Sequence, residues 1–340
     1  MKMKRILIVN VNWLGDTLFA TPFIRALREN YPDSYIVIFT HPRCKEILEG
    51  NPYINEIIVY DEKGRQRGLV GSFSIISQLK SKRFDTAFIL RRSLNRSMLL
   101  FLSKIPERIG FDNRKTGFLL TKRIQRPPEN LHRVEHFLSI LRPLGINPRS
   151  VNYEFFISEK ARRLARELLK NEGLEGADPF IAVNPGGNWD LKRWPAENFA
   201  RLGDEIIRRL KMKVVLTGAQ KDMALCRGIA GLMKGQPVLL CGKTDLKTLG
   251  AVFERAKWVI SNDSGPMHIA VAVKAAVVAL FGPTSPEITG PYGDGAYKIL
   301  HKKTDCEIPC YNLSCEDSRC MKAIRVEDVI EAIETKNSKY

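Results

Sequence analysis

Val259-Ile-Ser-Asn-Asp-Ser-Gly-Pro-Met-His-Ile-Ala-Val-Ala-Val273 is the stretch whose reading decides the fold. An apolar run, Trp258–Ser261, stops at three short polar residues, Asn262, Asp263 and Ser264, and opens into a helix over Met267–Val273. Asn, Asp and Ser satisfy the first free N–H groups of a helix, and Pro266 fits the first turn, where a missing N–H costs nothing. Backbone N–H groups at a positive helix end suit a phosphate. Taken alone, the turn reads as an ordinary strand-to-helix connection. It gains weight from a second Gly-rich loop and from an N-terminal Gly-Asp turn.

The same alternation runs outward in both directions. Strands are predicted at Arg5–Asn10, Tyr35–Thr40, Ile57–Tyr60 and Thr86–Leu90, with helices over Thr17–Asn30 and Leu69–Arg83. The rhythm restarts with strands at Phe180–Val183, Lys213–Thr217, Val238–Leu240, Trp258–Ser261 and Ala276–Phe281. Helices over Ala196–Leu210, Asp222–Leu232 and Leu246–Glu254 lie between them. Short apolar runs separated by helices specify parallel, doubly wound α/β sheets. Two such blocks predict two Rossmann-like domains facing across a cleft. The expected division is 1–165, 166–322, and a closing helix in 323–340 that packs back toward the N-terminal domain.

The length of 340 residues exceeds one comfortable core, which agrees with two domains. Hydrophobic content of 44% and charged content of 27% are those of a folded protein. The net charge of +17 stands apart and favours an anionic partner, or solubility alone. Residues 80–149 carry much of it, with sixteen Lys plus Arg against five Asp plus Glu. Nucleic acid, anionic lipid and a phosphorylated substrate all fit that charge. No apolar run is long enough for a signal or a membrane span, so a cytoplasmic location is expected.

Three turns carry candidate chemistry. Asn10-Val-Asn-Trp-Leu-Gly-Asp16 follows the first strand. Gly15 permits close backbone approach, and Asp16 reads either as a helix cap or as a general base. No GxGxxG is present, which argues against a dinucleotide enzyme. Asn184-Pro-Gly-Gly-Asn-Trp-Asp-Leu-Lys-Arg-Trp-Pro195 resembles a phosphate cradle, with Gly186 and Gly187 giving space and Lys192 giving charge. Arg193 reads as a solvated neighbour. Thr217-Gly-Ala-Gln-Lys-Asp222 follows the next strand, and Asp222 serves either the helix dipole or ribose hydroxyls. His268 reads equally as a ligand contact and as a structural first-turn histidine. Cys306, Cys310, Cys315 and Cys320 are spaced for a structural tetrathiolate zinc or iron site, or for packed free thiols.

Together, "WLGDTLFATP", "NPGG…KRWP", "TGAQKD" and "SNDSGPMHIAVAV…ALFGPTSP" resemble glycosyltransferase family 9, the ADP-heptose:lipopolysaccharide heptosyltransferases, along almost the whole chain. The "WLGD" form and the C-terminal cysteines look closer to the heptosyltransferase II branch. The resemblance implies a GT-B fold and an inverting transfer that needs no metal or other cofactor. Asp16 falls at the family's base, Lys192 at the donor phosphate, and Asp222 at the ribose. The implied donor set is Gly15, Asn184, Gly186, Lys192, Thr217, Gly218, Asp222 and the loop Asp263, Ser264, Gly265, Pro266, Met267 and His268. Thr284 and Ser285 fall on a further loop near the donor.

The implied partners are ADP-heptose, an inner-core lipopolysaccharide acceptor and an anionic membrane surface, the inner face of the inner membrane. Arg91, Arg92, Arg96, Arg114, Lys115, Lys122 and Arg123 are the expected acceptor contacts. A relative using another nucleotide sugar or a protein acceptor is the alternative within the family. A nucleic-acid-binding protein is the alternative outside it, but the chain has no recognisable module for that purpose, so no nucleic-acid partner is expected.

Overall fold

The computed structural model describes residues 4–176, 178–310, 312 and 314–335. The chain divides into two compact units, Met1–Glu154 and Phe155–Tyr340. Unit 1 holds a parallel sheet of β1 (Arg5–Val9), β2 (Tyr35–Thr40), β3 (Glu56–Val59), β4 (Thr86–Ile89), β5 (Glu107–Phe111) and β6 (Lys122–Ile124). Its spatial order is β3-β2-β1-β4-β5-β6. Unit 2 holds β7 (Phe180–Asn184), β8 (Lys213–Leu216), β9 (Val238–Leu239), β10 (Trp258–Asn262), β11 (Val277–Phe281) and β12 (Tyr297–His301). Its order, β12-β11-β10-β7-β8-β9, is the same arrangement. Counted within each unit, both sheets read 3-2-1-4-5-6, the doubly wound Rossmann order.

The central strands explain why the sequence was legible. Ile6 to Val9 and all five residues of β10 and β11 are buried, because helices cover both faces of a parallel sheet. Register is regular: Ile6 lies opposite Ile36 and Thr86, and Trp258 opposite Ile181. Sheet order reverses direction between β1 and β4 and between β7 and β10. Chains leave those strand pairs in opposite directions, which opens a crevice at their carboxyl ends.

Three strands were not legible. β5 and β6 carry Glu107, Arg108, Lys122 and Arg123, and every residue of the edge strand β12 is partly exposed. Half-wet strands lack the continuous apolar run that marked the others. The expected helix Thr17–Asn30 is two helices, Leu14–Phe19 and Thr21–Asn30. Pro22 stands at the start of the second and cannot donate to the Leu18 carbonyl, which accepts the Thr21 hydroxyl at 2.8 Å instead.

The boundary falls earlier than residue 165. Glu154 N–H donates to Thr21 Oγ1 at 2.9 Å, and Arg25 donates to the Ser150 and Asn152 carbonyls at 2.7 and 3.0 Å, so the chain stays in unit 1 to that point. From Phe155 it packs in unit 2, where its ring lies against Gly250 so closely that a Cβ there would come within 2.8 Å. The helix Glu159–Asn171 follows, fixed to the helix Leu246–Arg255 by the Arg162–Glu254 pair at 2.8 and 3.0 Å. The closing helix Val326–Glu334 packs within unit 2. Val326, Val329, Ile330 and Ile333 are buried in the core of unit 2 with Phe199, Leu202 and Ile206.

A half-buried imidazole sets one expected pH dependence. His136 lies 4.5 Å from the Phe111 ring centroid. Burial, then the nearby Arg133, Arg126 and Arg92, lower its pKa from 6.5 to about 4. Between those values the unfolded chain binds the proton and the folded chain does not. Stability is therefore present above pH 6.5 and is lost as pH falls toward 4, with a slope of at most about 1.4 kcal/mol per pH unit. Urea unfolding across that range should show the slope, and His136→Phe should flatten it. A variant with an undiminished slope would assign the effect to another group.

Candidate active site

The switch point of unit 2 brings together two loops that lie far apart in sequence. Asn262 ends β10 and is fully buried. Its Nδ2 donates to the Pro185 carbonyl at 2.8 Å, and its Oδ1 accepts the Trp194 N–H at 3.1 Å. Trp194 is itself buried, and its Nε1 donates to the Ile324 carbonyl at 2.9 Å. The loop after β7 is thus held at both ends, which places Lys192 beside the loop after β10. Lys192 Nζ meets Asp263 Oδ2 at 2.6 Å and lies 5.4 Å from the Trp189 ring centroid. Thr284 Oγ1 donates to the same carboxylate oxygen at 2.7 Å, and His268 Nε2 is 4.0 Å from Asp263 Oδ1.

The buried Asp263 carboxylate therefore orients an ammonium, a hydroxyl and an imidazole around the start of the helix Gly265–Ala272. A carboxylate repels phosphate, so Asp263 acts on its neighbours rather than on an anionic ligand. Ser264 does not cap that helix with its side chain, and its hydroxyl lies 3.2 Å from that of Ser261. Gly265 and Pro266 form the first turn. Met267 is fully buried, so only its backbone is available there.

The ends of β7 and β8 are joined by hydroxyl and amide contacts. Thr217 Oγ1 lies 3.3 Å from both the Val183 carbonyl and Asn184 Oδ1, and both side chains are buried. These two expected donor contacts therefore hold the strand ends together. Asp222 Oδ2 accepts the Ala219 N–H at 3.0 Å, and a Cβ on Gly186 would come within 2.6 Å of the Asp222 carboxyl carbon. Gly218 is similarly close to Cys241 Sγ, at 2.9 Å for an added Cβ. Only glycine allows these approaches. Arg193 was read as solvated. Instead it donates to the Gly187 carbonyl at 2.7 Å and lies 3.9 Å from Asp222, so it belongs to this cluster.

The switch point of unit 1 is built the same way. Asn10 ends the buried run of β1, and its Nδ2 donates to Thr17 Oγ1 and Thr40 Oγ1, both at 3.1 Å. Asn10 was placed by the sequence at the end of the strand but not among the site residues, although a polar residue closing an apolar strand was the available signal. Asp16 stands in the first turn of Leu14–Phe19, partly exposed, while the N-cap position belongs to Trp13. Arg96, in the helix Leu94–Leu102, is wholly buried and donates from Nη1 to the Asn10 carbonyl at 3.0 Å. Its guanidinium carbon lies 5.7 and 5.8 Å from the Phe39 and Tyr60 ring centroids.

Among the described residues, Arg96 Nε and Nη2 and the side-chain oxygens of Asn10 and Asn12 have no hydrogen-bond partner, and Arg91 Nη1 has only the ion pair to Glu62 Oε1 at 3.6 Å. Burial, then Arg91, lower the Arg96 pKa to about 10, which leaves it charged at neutral pH. Arg91 and Arg92, with Phe111, Asn113 and Thr116, line a cleft at the ends of β4 and β5. Arg114 and Lys115 sit exposed in the adjoining turn, which Asn113 Oδ1 holds by accepting the Lys115 and Thr116 N–H groups at 3.2 and 2.9 Å. Lys122 and Arg123 are exposed on β6.

The four C-terminal cysteines do not assemble the expected metal site. All are free thiols, and among the described residues no group of three or more His, Cys, Asp or Glu side chains is placed to hold a metal. Cys320 packs in the apolar core of unit 2, where burial raises its thiol pKa.

Two Rossmann-like sheets, each with polar and basic residues gathered at the carboxyl ends of its central strands, define a GT-B-like glycosyltransferase. Residues 72–316 match glycosyltransferase family 9 (heptosyltransferase), and the chain belongs to that family. It is 28% identical over 314 residues to lipopolysaccharide heptosyltransferase 2 of Salmonella typhimurium, covering 87% of each chain. It is 26% identical to lipooligosaccharide heptosyltransferase 2 of Campylobacter jejuni, covering 97% of this chain and 98% of that one. Among solved structures, a family 9 glycosyltransferase of Veillonella parvula superposes with a TM-score of 0.90 at 29% identity, covering 98% and 97% of the two chains. The ADP-heptose heptosyltransferase II of E. coli superposes at 0.78 with 25% identity, covering 97% of each.

Proposed function

We propose that this glycosyltransferase moves a heptose from ADP-heptose to an anionic inner-core lipopolysaccharide acceptor, with inversion at the anomeric carbon. Unit 2 binds the donor and unit 1 binds the acceptor. Asp16 takes the proton of the attacking acceptor hydroxyl. Lys192, Thr284 and the first N–H groups of the helix Gly265–Ala272 stabilise the departing diphosphate, the task a metal performs elsewhere. The observation that carries the reading is the cluster of Lys192 and Thr284 on Asp263 at that helix start, 2.6 and 2.7 Å from one carboxylate oxygen. The relatives' donor and acceptor support the choice of sugar nucleotide and lipopolysaccharide. Arg91 and Arg92, which stay partly or fully exposed in the cleft at the ends of β4 and β5, support an acidic acceptor.

Incubation with ADP-heptose and a truncated core acceptor should give a product heavier by one heptose in mass spectrometry. Its anomeric configuration, read by NMR, should be opposite to that of the donor. Transfer from a different sugar nucleotide in preference to ADP-heptose would defeat the reading. Asp222→Ala should weaken ADP binding about 10- to 100-fold, the worth of hydrogen bonds to a charged group, while sparing inorganic pyrophosphate. Calorimetry with both ligands separates a ribose contact from a loop collapse, which would weaken the two equally.

A further inference from the structure

Seven of the ten exposed large apolar side chains among the described residues lie on one layer of unit 1. Leu69, Val70 and Phe73 are 77%, 84% and 67% exposed on the helix Gly68–Ser81, whose opposite side buries Ile75, Ile76 and Leu79 against the sheet. Leu94, Phe101 and Leu102 are exposed on the adjacent helix Leu94–Leu102, and Phe118 on the neighbouring turn Gly117–Leu119. Elsewhere the chain charges its outer helical faces, as in Glu159–Asn171, where Glu, Lys and Arg hold most water-facing positions. On Gly68–Ser81 the water-facing positions are apolar or uncharged until Lys80 in the last turn. An exposed apolar face of this extent, on the outside of a folded layer, marks an interaction surface.

The charge around that face specifies its occupant. Between residues 63 and 104, Lys63, Arg65, Arg67, Lys80, Arg83, Arg92 and Lys104 are exposed, Lys82 and Arg91 pair with Glu56 and Glu62, and Asp85 is the single acid. Asp85 is occupied away from this layer, accepting the Lys4 and Arg5 N–H groups at 2.8 Å each. Lys63, Arg65 and Arg67 are exposed in the turn that leads directly into Leu69 and Val70. Apolar side chains beside cations whose long stems reach past them match the boundary between lipid headgroups and acyl chains. Two copies meeting through this face would bring like charge against like charge. No helix among the described residues is long and apolar enough to cross a membrane, so contact of this kind lies in the plane of the surface.

We propose that unit 1 docks on an anionic lipid bilayer through this layer, with Leu69, Val70 and Phe73 entering the headgroup region and Lys63, Arg65 and Arg67 pairing with lipid phosphates. The proposal stands apart from the choice of sugar donor, and vesicle binding tests it without any transfer step. The full chain should sediment with vesicles of phosphatidylglycerol and phosphatidylcholine, but far less with phosphatidylcholine alone, and added salt should weaken the binding. Leu69→Ser, Val70→Ser and Phe73→Ser combined should reduce binding at least about tenfold. Melting temperature and activity on a lipid-free acceptor fragment should not change. Arg65→Glu with Arg67→Glu should reduce binding to the anionic vesicles only. Undiminished binding by the apolar triple variant overturns the proposal. So does a wild-type dimer in analytical ultracentrifugation that the same variant dissolves, which would assign the face to a second copy. Loss of transfer from ADP-heptose with vesicle binding intact would count against the proposed function alone.

Discussion

Asp16→Asn is expected to lower turnover by ~10²–10⁴ while leaving ADP affinity unchanged. The substitution keeps the size and one acceptor oxygen of the side chain and removes only its charge and basicity. Two features separate this outcome from a structural effect. The N-cap of Leu14–Phe19 is Trp13, not Asp16, so no side-chain cap is lost. An acid in the first helical turn contributes only ~0.3–1 kcal/mol through the helix dipole, which would shift melting slightly. Asp16 also lies in unit 1, whereas the proposed diphosphate contacts lie in unit 2. Turnover measured by product mass, with ADP binding by calorimetry, checks both halves. Near wild-type turnover would return Asp16 to the dipole role.

Lys192→Ala is expected to reduce kcat/KM for the donor by ~10²–10³, with ADP affinity falling as well. An ammonium on a diphosphate acts in both the ground state and the transition state. The substitution has a second consequence, because Lys192 neutralises a buried carboxylate at 2.6 Å. Leaving Asp263 without its cation would cost up to ~3–5 kcal/mol of stability. Adding Asp263→Asn to Lys192→Ala removes that unpaired charge and separates the two roles. Melting temperature should then recover while donor binding stays weak. Recovery of both would mean that Lys192 serves only to hold Asp263.

Sequence and structure divide the remaining questions by range. The apolar runs of β1, β2, β4, β7, β8, β10 and β11 announce themselves because both faces of a parallel sheet are covered, and the residues respond to that burial alone. The turns that follow were legible for a related reason. Glycine where backbones must approach, as at Gly186 and Gly218, and small polar residues at helix starts are local steric and hydrogen-bonding demands. Arg96 was nearly legible. It is in helical register with Leu99, Leu100 and Ser103, so its burial followed from spacing, yet the charged run around it suggested a wet contact.

The sequence by itself determined the strands with covered faces, the parallel α/β class and the turns able to carry chemistry, because each rests on the preferences of neighbouring residues. Only the tertiary structure decided the pairings. Lys192 meets Asp263 across 71 positions, Arg96 meets the Asn10 carbonyl across 86, and the closing helix buries its apolar face in unit 2. It also placed the half-wet strands β5, β6 and β12, whose sequences do not alternate cleanly and whose pairing depends on the strand beside them. Contacts of that range depend on the packing of the whole unit, and no local pattern of charge or hydropathy records which distant partner a side chain will meet.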